Sequence, residues 1–148
     1  MFNEFTHIKG TVRIKLFDKD GKLKYEHCGP NLVVTAGKTY LAAWLTAASQ
    51  AGAFMSYIGV GTGTNTAVIG DTDLQIPLAT RVLGTLTSSA NVWQNVATFG
   101  AGVDTGAITE AGLFSASSSG TLFARQVFSV INKGISDSLQ ITWQVTLG

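Results

Sequence analysis

The sequence predicts a mainly β domain: a β-sandwich of jelly-roll or immunoglobulin-like type, with one short helix and an N-terminal β-hairpin. Two patterns lead to this prediction. Runs of alternating apolar and polar residues recur along the chain, most regularly over residues 139–147, and a period of two is typical of half-buried strands. Clusters of glycine, serine and asparagine separate these runs at intervals of about 8–12 residues, the spacing found in sandwiches and barrels.

The N-terminal part of the chain predicts a charged hairpin. Residues 12–16 and 22–26 each alternate apolar with charged or polar residues, and an Asp-Lys-Asp-Gly turn lies between them. A Gly-Pro pair then breaks the pattern. We therefore divide the chain into a hairpin or arm, residues 1–30, and a sandwich body, residues 31–148.

Helical composition is found in one stretch, residues 35–49, which is rich in alanine and places Tyr40 and Trp44 on one face. Residues 67–80 look irregular, and Pro77 within them argues against a central strand. The remaining runs predict extended strands at residues 31–34, 57–60, 81–86, 92–99, 108–114, 121–130 and 139–147.

Charge is scarce and unevenly placed. Charged residues make up 13% of the chain and the net charge is +1, against a usual charged share of about 25%. Seven of the ten basic residues lie in residues 1–38, and the rest of the chain holds only three basic and five acidic groups. Because interface cores are depleted in charge, this balance favours burial in an assembly. The alternative is a monomer coated with serine and threonine.

No pattern in the chain predicts catalysis or a bound cofactor. His27 and Cys28 are adjacent, so on a strand they point to opposite faces and cannot share a metal ion. The glycine-rich run at residues 59–64 has neither the third glycine of a dinucleotide loop nor the Lys-Ser/Thr of a phosphate loop. We therefore expect a protein that is not an enzyme and that uses no metal or cofactor.

Two sets of charged residues are the candidate sites. Arg13, Lys15, Lys22 and Lys24 in the hairpin are predicted to bind an acidic surface of a partner protein. Glu110 and Arg125 are lone charges among small and apolar residues, so they are predicted to form an ion pair across neighbouring strands. The alternative for this second set is two solvent-facing charges at strand edges.

Nucleic acid and membrane are not expected partners. Acidic residues are interspersed with the early lysines, whereas a nucleic-acid surface needs unopposed positive charge. Residues 39–70 carry no charge, but polar residues interrupt their most apolar part, and a spanning helix needs about 20 predominantly apolar residues. The N-terminus has no secretory signal, and the single cysteine is compatible with a reducing cytosol.

Several short motifs occur in an order that resembles a group of small virion proteins of tailed bacteriophages. The resemblance extends over about residues 31–148 and leaves the hairpin outside it. Its motifs are residues 31–38 (NLVVTAGK), 57–64 (YIGVGTGT), 70–74 (GDTDL), Arg81, 108–114 (ITEAGLF), 121–125 (TLFAR), 132–133 (NK) and 137–143 (DSLQITW).

The resemblance implies a structural protein of the virion, and we expect a capsid decoration or cement subunit. Such a subunit would be made in the bacterial cytoplasm and would bind the major capsid protein on the outside of the head, as a homotrimer. The first alternative is a component of the tail, baseplate or fibre. The second is a carbohydrate-binding β-sandwich in which Trp44, Trp93 and Trp143 stack on sugars.

Overall fold

A computed structural model describes residues 8–46 and 54–148 of the chain, which form nine strands and one helix. The elements are β1 (Ile8–Phe17), β2 (Leu23–Val33), α1 (Thr35–Thr46), β3 (Tyr57–Gly61), β4 (Pro77–Leu83), β5 (Thr85–Ser89), β6 (Val92–Phe99), β7 (Gly106–Phe114), β8 (Leu122–Lys133) and β9 (Ser138–Leu147).

All nine strands are antiparallel to their neighbours and form one sheet in the order β4-β3-β7-β8-β2-β1-β9-β6-β5. The sheet consists of two halves. Strands β2, β1, β9, β6 and β5 form the first half, and β4, β3, β7 and β8 form the second. Among the described strands, two residue pairs join the halves: Leu32 with Arg125 and Val33 with Ala124. The mainly β prediction, with one helix and a sandwich-like architecture, is confirmed.

The core lies between the inner faces of the two halves. Val12 and Ile14 of β1 and Trp143 of β9 are fully buried on one side, and Ile58 of β3 and Leu113 of β7 are fully buried on the other. Each of these residues belongs to an alternating run, so the period of two places it on the inner face. Burying one such side chain contributes about 1.5–3 kcal/mol.

The hairpin is part of the sandwich and not the separate arm that the division at residue 30 predicts. β1 pairs with β2 on one edge and with β9 along its whole length on the other, and Val12, Ile14 and Leu16 lie in the core. The predicted boundary at residue 30 falls within β2. The physical reason is the apolar face of the hairpin itself, since the core is the surface that removes it from water.

The predicted strand at residues 81–86 is two strands, separated at Gly84. β4 ends before this glycine on the edge of the second half, and β5 begins after it on the edge of the first. A side chain at Gly84 would collide with the amide oxygen of Asn95, so the crossing requires a glycine. Pro77, predicted to be outside any central strand, is the first residue of the edge strand β4.

Helix α1 begins at Thr35, where the sequence predicts it, and positions 47–49 of the predicted helix lie outside the described residues. Gly37 is the one fully covered residue of the helix. A Cβ atom at this position would lie 2.7 Å from the Cα of Phe123 in β8. The helix therefore packs directly against the backbone of the sheet.

We expect Gly37→Ala to destabilise the protein by about 1–3 kcal/mol, because the added methyl group collides with backbone that cannot move aside cheaply. Urea denaturation followed by circular dichroism measures this loss. Gly70→Ala is the matched control: a Cβ at Gly70 meets nothing within 4 Å, so the change is expected within about 0.5 kcal/mol. Equal stability of the two variants would contradict the close packing of α1.

Candidate functional site

The segment between β3 and β4, here called loop 62–76, covers the outer face of β3, β7 and β8. It has no strand or helix of its own. Leu74 packs in a second apolar cluster with Val34, Phe114 and Leu122. A loop of this length without regular structure needs specific anchors to keep one conformation, and polar contacts from beneath provide them.

Glu110 of β7 is the central anchor. Its side chain is fully buried, and its carboxylate accepts three backbone hydrogen bonds from the loop. Gly63 N–H donates to Oε1 at 3.0 Å, Ile76 N–H to Oε1 at 2.8 Å, and Gln75 N–H to Oε2 at 3.0 Å. Both ends of the loop are thus bound to one side chain, whose oxygens are saturated by the chain's own donors. This carboxylate therefore acts as a structural anchor for loop 62–76.

Arg125 of β8 completes the network. Its guanidinium contacts Glu110 Oε2 through Nε at 3.0 Å and Nη2 at 2.8 Å. Its Nη1 donates to Asp71 Oδ2 at 2.9 Å, and its Nη2 donates to the carbonyl of Asn65 at 3.0 Å. The side chains of Glu110 and Arg125 are 0% and 2% exposed. The structure therefore brings these two predicted residues together as a buried pair and not as solvent-facing charges.

The pKa of Glu110 reflects this balance. Burial acts to raise the pKa, but the N–H groups of Ile76 and Gln75, the Arg125 guanidinium and the N–H of Gly63 outweigh burial and lower it below its ordinary value of 4.5. The carboxylate is therefore charged at neutral pH.

The glycine-rich run at residues 59–64, which was compared above with a phosphate loop, leaves space for the buried side chain of Glu110. A Cβ atom at either Gly61 or Gly63 would lie 2.5 Å from Glu110 Oε1. A Cβ at Gly112, opposite Gly59 in the sheet, would meet Leu74 at 2.9 Å. These glycines make room for the buried carboxylate and for the loop that lies over it.

Two members of the network escaped prediction as site residues. Asp71 accepts a hydrogen bond from Val68 N–H as well as from Arg125. Gln75 Oε1 accepts hydrogen bonds from the N–H groups of Thr64 and Asn65. The available signal was the spacing of acidic residues 71 and 73 beside a glycine-rich turn, but spacing along a loop does not reveal which strand lies beneath it.

The other charged residues of the body are also bound internally. Arg81 lies 3.5 Å above the Phe114 ring and pairs with Asp73 at 3.3 Å. Asp104 accepts the N–H of Thr80, an edge-strand residue, at 3.1 Å. Lys133 donates to the carbonyl of Gly100, and Lys24 pairs with Asp137 at 2.9 Å. Contacts within the chain thus engage all eight charged residues beyond position 38: Asp71, Asp73, Arg81, Asp104, Glu110, Arg125, Lys133 and Asp137.

Burial also changes the pKa values at the other end of the sandwich. It raises the pKa of Asp104, an effect that the N–H of Thr80 partly offsets. It lowers the pKa of Lys133, against the charges of Asp137 and Asp104. The hydrogen bond from Lys24 lowers the pKa of Asp137. At Asp104 and Lys133 the cost of burial therefore exceeds the attraction between the opposite charges at this end of the sandwich.

The four hairpin cations are not one free basic surface. Arg13 pairs with Glu26 at 2.9 Å, and Lys24 pairs with Asp137. Lys15 is half-buried on β1, and Lys22 is exposed beside the turn. Two of the four charges are therefore neutralised within the chain. Because β1 lies between β2 and β9 and contributes Val12, Ile14 and Leu16 to the core, removal of the hairpin would open the core.

Loop 62–76 presents apolar side chains to solvent above its buried anchors. Val68 is 54% exposed, Ile69 is 62% exposed and Ile76 is 51% exposed. The N–H of Thr35, the first residue of α1, donates to the carbonyl of Ile69 at 2.9 Å, so this part of the loop is also fixed to the helix. Exposed apolar side chains on a loop that is held in place by hydrogen bonds are candidates for contact with another protein.

A second apolar surface lies between α1 and the first half of the sheet. This apolar groove is lined by Trp44 and Leu45 of α1, Phe54, Leu86 of β5, Trp93 of β6 and Leu147 of β9, and no charged residue is found among its described lining residues. Trp143 lies apart from the other two tryptophans and is fully buried in the core. The three tryptophans therefore do not form one sugar-stacking surface.

Within residues 8–46 and 54–148, no group of three or more histidine, cysteine or acidic side chains is placed to hold a metal ion. His27 contacts the ring of Phe128, while Cys28 is exposed. In the same residues no helix combines the length and the apolar character that crossing a membrane requires. No protein family, curated protein or solved structure matches the chain.

We expect Glu110→Gln to lower the free energy of unfolding by about 3–5 kcal/mol, because it removes one partner of a buried ion pair and leaves Arg125 undercompensated. Urea denaturation at pH 7 measures the loss. Glu26→Gln is the matched control, because its pair with Arg13 has side chains that are 37% and 53% exposed and should cost less than about 1 kcal/mol. Similar losses in both variants would contradict the central role of Glu110.

The stability difference between wild type and Glu110→Gln should depend on pH. Because the folded state lowers the pKa of Glu110 below 4.5, its contribution is complete above pH 4.5 and is lost as the pH falls through the folded pKa. Urea denaturation between pH 7 and pH 3 should show a constant difference that shrinks below pH 4.5. A difference that stays constant throughout would contradict the lowered pKa.

Proposed function

We propose that this chain is a non-enzymatic structural subunit of a bacteriophage particle, a capsid decoration protein that stabilises the head by packing against capsid subunits and its own copies. The proposal combines the resemblance of residues 31–148 to small virion proteins with the surface that the fold presents. It places the protein on the outside of the virion, in contact with the major capsid protein.

The observation that carries the proposal is the internal use of charge. All eight charged groups beyond position 38 are bound within the chain, so the surface outside the charged β1–β2 hairpin carries few charges without an intramolecular partner. A protein that works alone in solution keeps a mixed charged surface to avoid association. Surfaces depleted in charge are typical of interface cores, and repeated association is the function of a virion subunit.

Loop 62–76 is the proposed contact with the capsid. Its exposed Val68, Ile69 and Ile76 supply apolar area, and Glu110, Arg125 and Asp71 hold the loop in one conformation before binding. A contact that is ordered in advance avoids the entropy that a mobile loop would lose on binding. Many weak contacts of this kind, repeated over a shell by trimers, add up through multivalency.

We expect the double variant Val68→Asp/Ile69→Asp to bind head particles about thirtyfold more weakly than wild type, the ratio that corresponds to about 2 kcal/mol at interface hot spots. The test uses particles from the phage or prophage that encodes the chain, stripped of this protein, and co-sedimentation over a range of protein concentrations. Both substitutions are on exposed side chains, so the fold should be retained.

Ile135→Asp is the matched control, because Ile135 is 75% exposed but lies in the turn between β8 and β9. It should bind as wild type does. Light scattering of the wild-type protein should give the mass of a trimer before mixing. Wild-type protein that sediments with tails and not with heads would refute the decoration role, as would full binding by the double variant.

A further inference from the structure

One edge of β2 has no strand partner over most of its length. β2 pairs with β1 from Leu23 to Asn31, but on its other edge it pairs with β8 at Leu32 and Val33 alone. In the described part of the chain, the edge from residue 23 to residue 31 is therefore open. Open edges carry unpaired backbone N–H and C=O groups, which can pair with a strand of another molecule.

The contact between Pro30 and Gln126 identifies the backbone groups on this edge. The side-chain Nε2 of Gln126 donates to the carbonyl of Pro30 at 2.6 Å, so this carbonyl faces β8 and not β1. Because alternate residues of a strand direct their backbone groups to the same side, Cys28 and Glu26 present an N–H and a C=O on the open edge. The register with β1 is unbroken from residue 25 to residue 31, so this part of the edge is regular.

Two other sheet edges are blocked within the chain. On β4, Pro77 has no N–H to donate, and the N–H of Thr80 is bound to the Asp104 carboxylate at 3.1 Å. On β8, residues 128–130 lie opposite Thr109 alone, and a bulge of this kind disturbs the edge of a strand. The edge of β2 is more open to another strand than either of these.

The charges on the open edge are self-complementary. Lys24 and Glu26 lie on either side of Tyr25. If two copies pair antiparallel with Tyr25 opposite its own copy, position 24 of each copy lies opposite position 26 of the other, so two Lys–Glu pairs form. Tyr25 is 40% exposed, and the same register joins the two rings. Opposite-charge and aromatic pairs across antiparallel strands each contribute about 0.2–1 kcal/mol.

Both charged side chains can accept this second partner. Lys24, which has no partner residue in β1, contacts Asp137 at 2.9 Å, and Glu26 Oε1 contacts Arg13 at 2.9 Å. An ammonium group has three donors and a carboxylate has two oxygens, so neither group is saturated by one contact. The side chains of Lys24 and Glu26 are still 45% and 37% exposed.

We propose that two copies of this chain associate through the open edge of β2, antiparallel and around a two-fold axis at Tyr25. Because both copies use the same edge, the contact closes after two subunits and does not continue into a fibre. The contact is short, so the association should be weak in solution and should depend on concentration. The inference concerns the protein in solution and does not depend on the capsid contact of loop 62–76.

Charge reversal tests the pairing of the edges. Light scattering of the wild-type protein should give a mass that rises towards twice its dilute value as the concentration increases. Glu26→Lys places like charges opposite each other in this register, so its mass should stay at the dilute value. Asp20→Lys is the matched control, because it makes the same charge change at an exposed position of the hairpin turn, and it should behave as wild type. A wild-type mass that does not change with concentration would refute the proposal, as would an equal rise in Glu26→Lys.

Disulfide formation tests the register. In this register the two Cα atoms at position 25 are about 4.5 Å apart, within the range of about 4.4–6.8 Å that a disulfide spans. The double variant Cys28→Ser/Tyr25→Cys should therefore form covalent dimers on oxidation. Cys28→Ser/Glu26→Cys is the matched control, because position 26 lies opposite position 24, and it should form far fewer. Equal yields of dimer from both variants, or none from the first, would overturn the proposal.

Discussion

The pairing of Glu110 with Arg125 is the constraint on which the outer layer of the molecule depends. Taking both charges out of water is expensive, and mutual attraction alone seldom repays that cost. Here three backbone N–H groups and a second carboxylate, Asp71, complete the coordination. The result is that loop 62–76 is ordered, although it contains no strand or helix of its own. A hydrophobic pair of equal volume would fill the same space but would leave those N–H groups without acceptors.

Charged side chains elsewhere in the sandwich also bind backbone groups of their own chain. Thr80 of the edge strand β4 donates its N–H to the Asp104 carboxylate, which occupies a donor that another strand would otherwise use. The Arg81 guanidinium lies over the Phe114 ring and donates to the carbonyls of Ala116 and Ser119. Each ionised group therefore fixes a local piece of backbone. Outside the charged β1–β2 hairpin, the exposed surface consists mainly of apolar, hydroxyl and amide groups, the composition that we connect with assembly.

The sequence predicted the strands well because alternation is a local property. Trp143 and Val145 show their burial in their own spacing. It did not predict how the two sheet halves meet, since the crossing at Gly84 depends on Asn95, eleven positions away. The hairpin was misjudged because a charged outer face looks the same on a free arm and on a central strand.

The candidate site was predictable only in part, for a related reason. Glu110 and Arg125 could be singled out because charges are rare in the body. Asp71, Gln75 and the three donating N–H groups belong to a loop whose position relative to β7 is a property of the tertiary fold. The glycines at positions 61 and 63 were recognised as a turn signal, whereas what they provide is clearance for a carboxylate.

The pairing of β1 with β9 places the two most distant strands of the chain side by side, with Ile8 opposite Leu147. A topology with such long-range pairs has high contact order and folds slowly. During translation at about 5–20 residues per second, β1 waits on the order of ten seconds for its partner. The first half of the sheet contains both β1 and β9, so it is completed only after β9 has been synthesised. A chain whose synthesis has not yet reached β9 cannot form the complete outer surface of the domain.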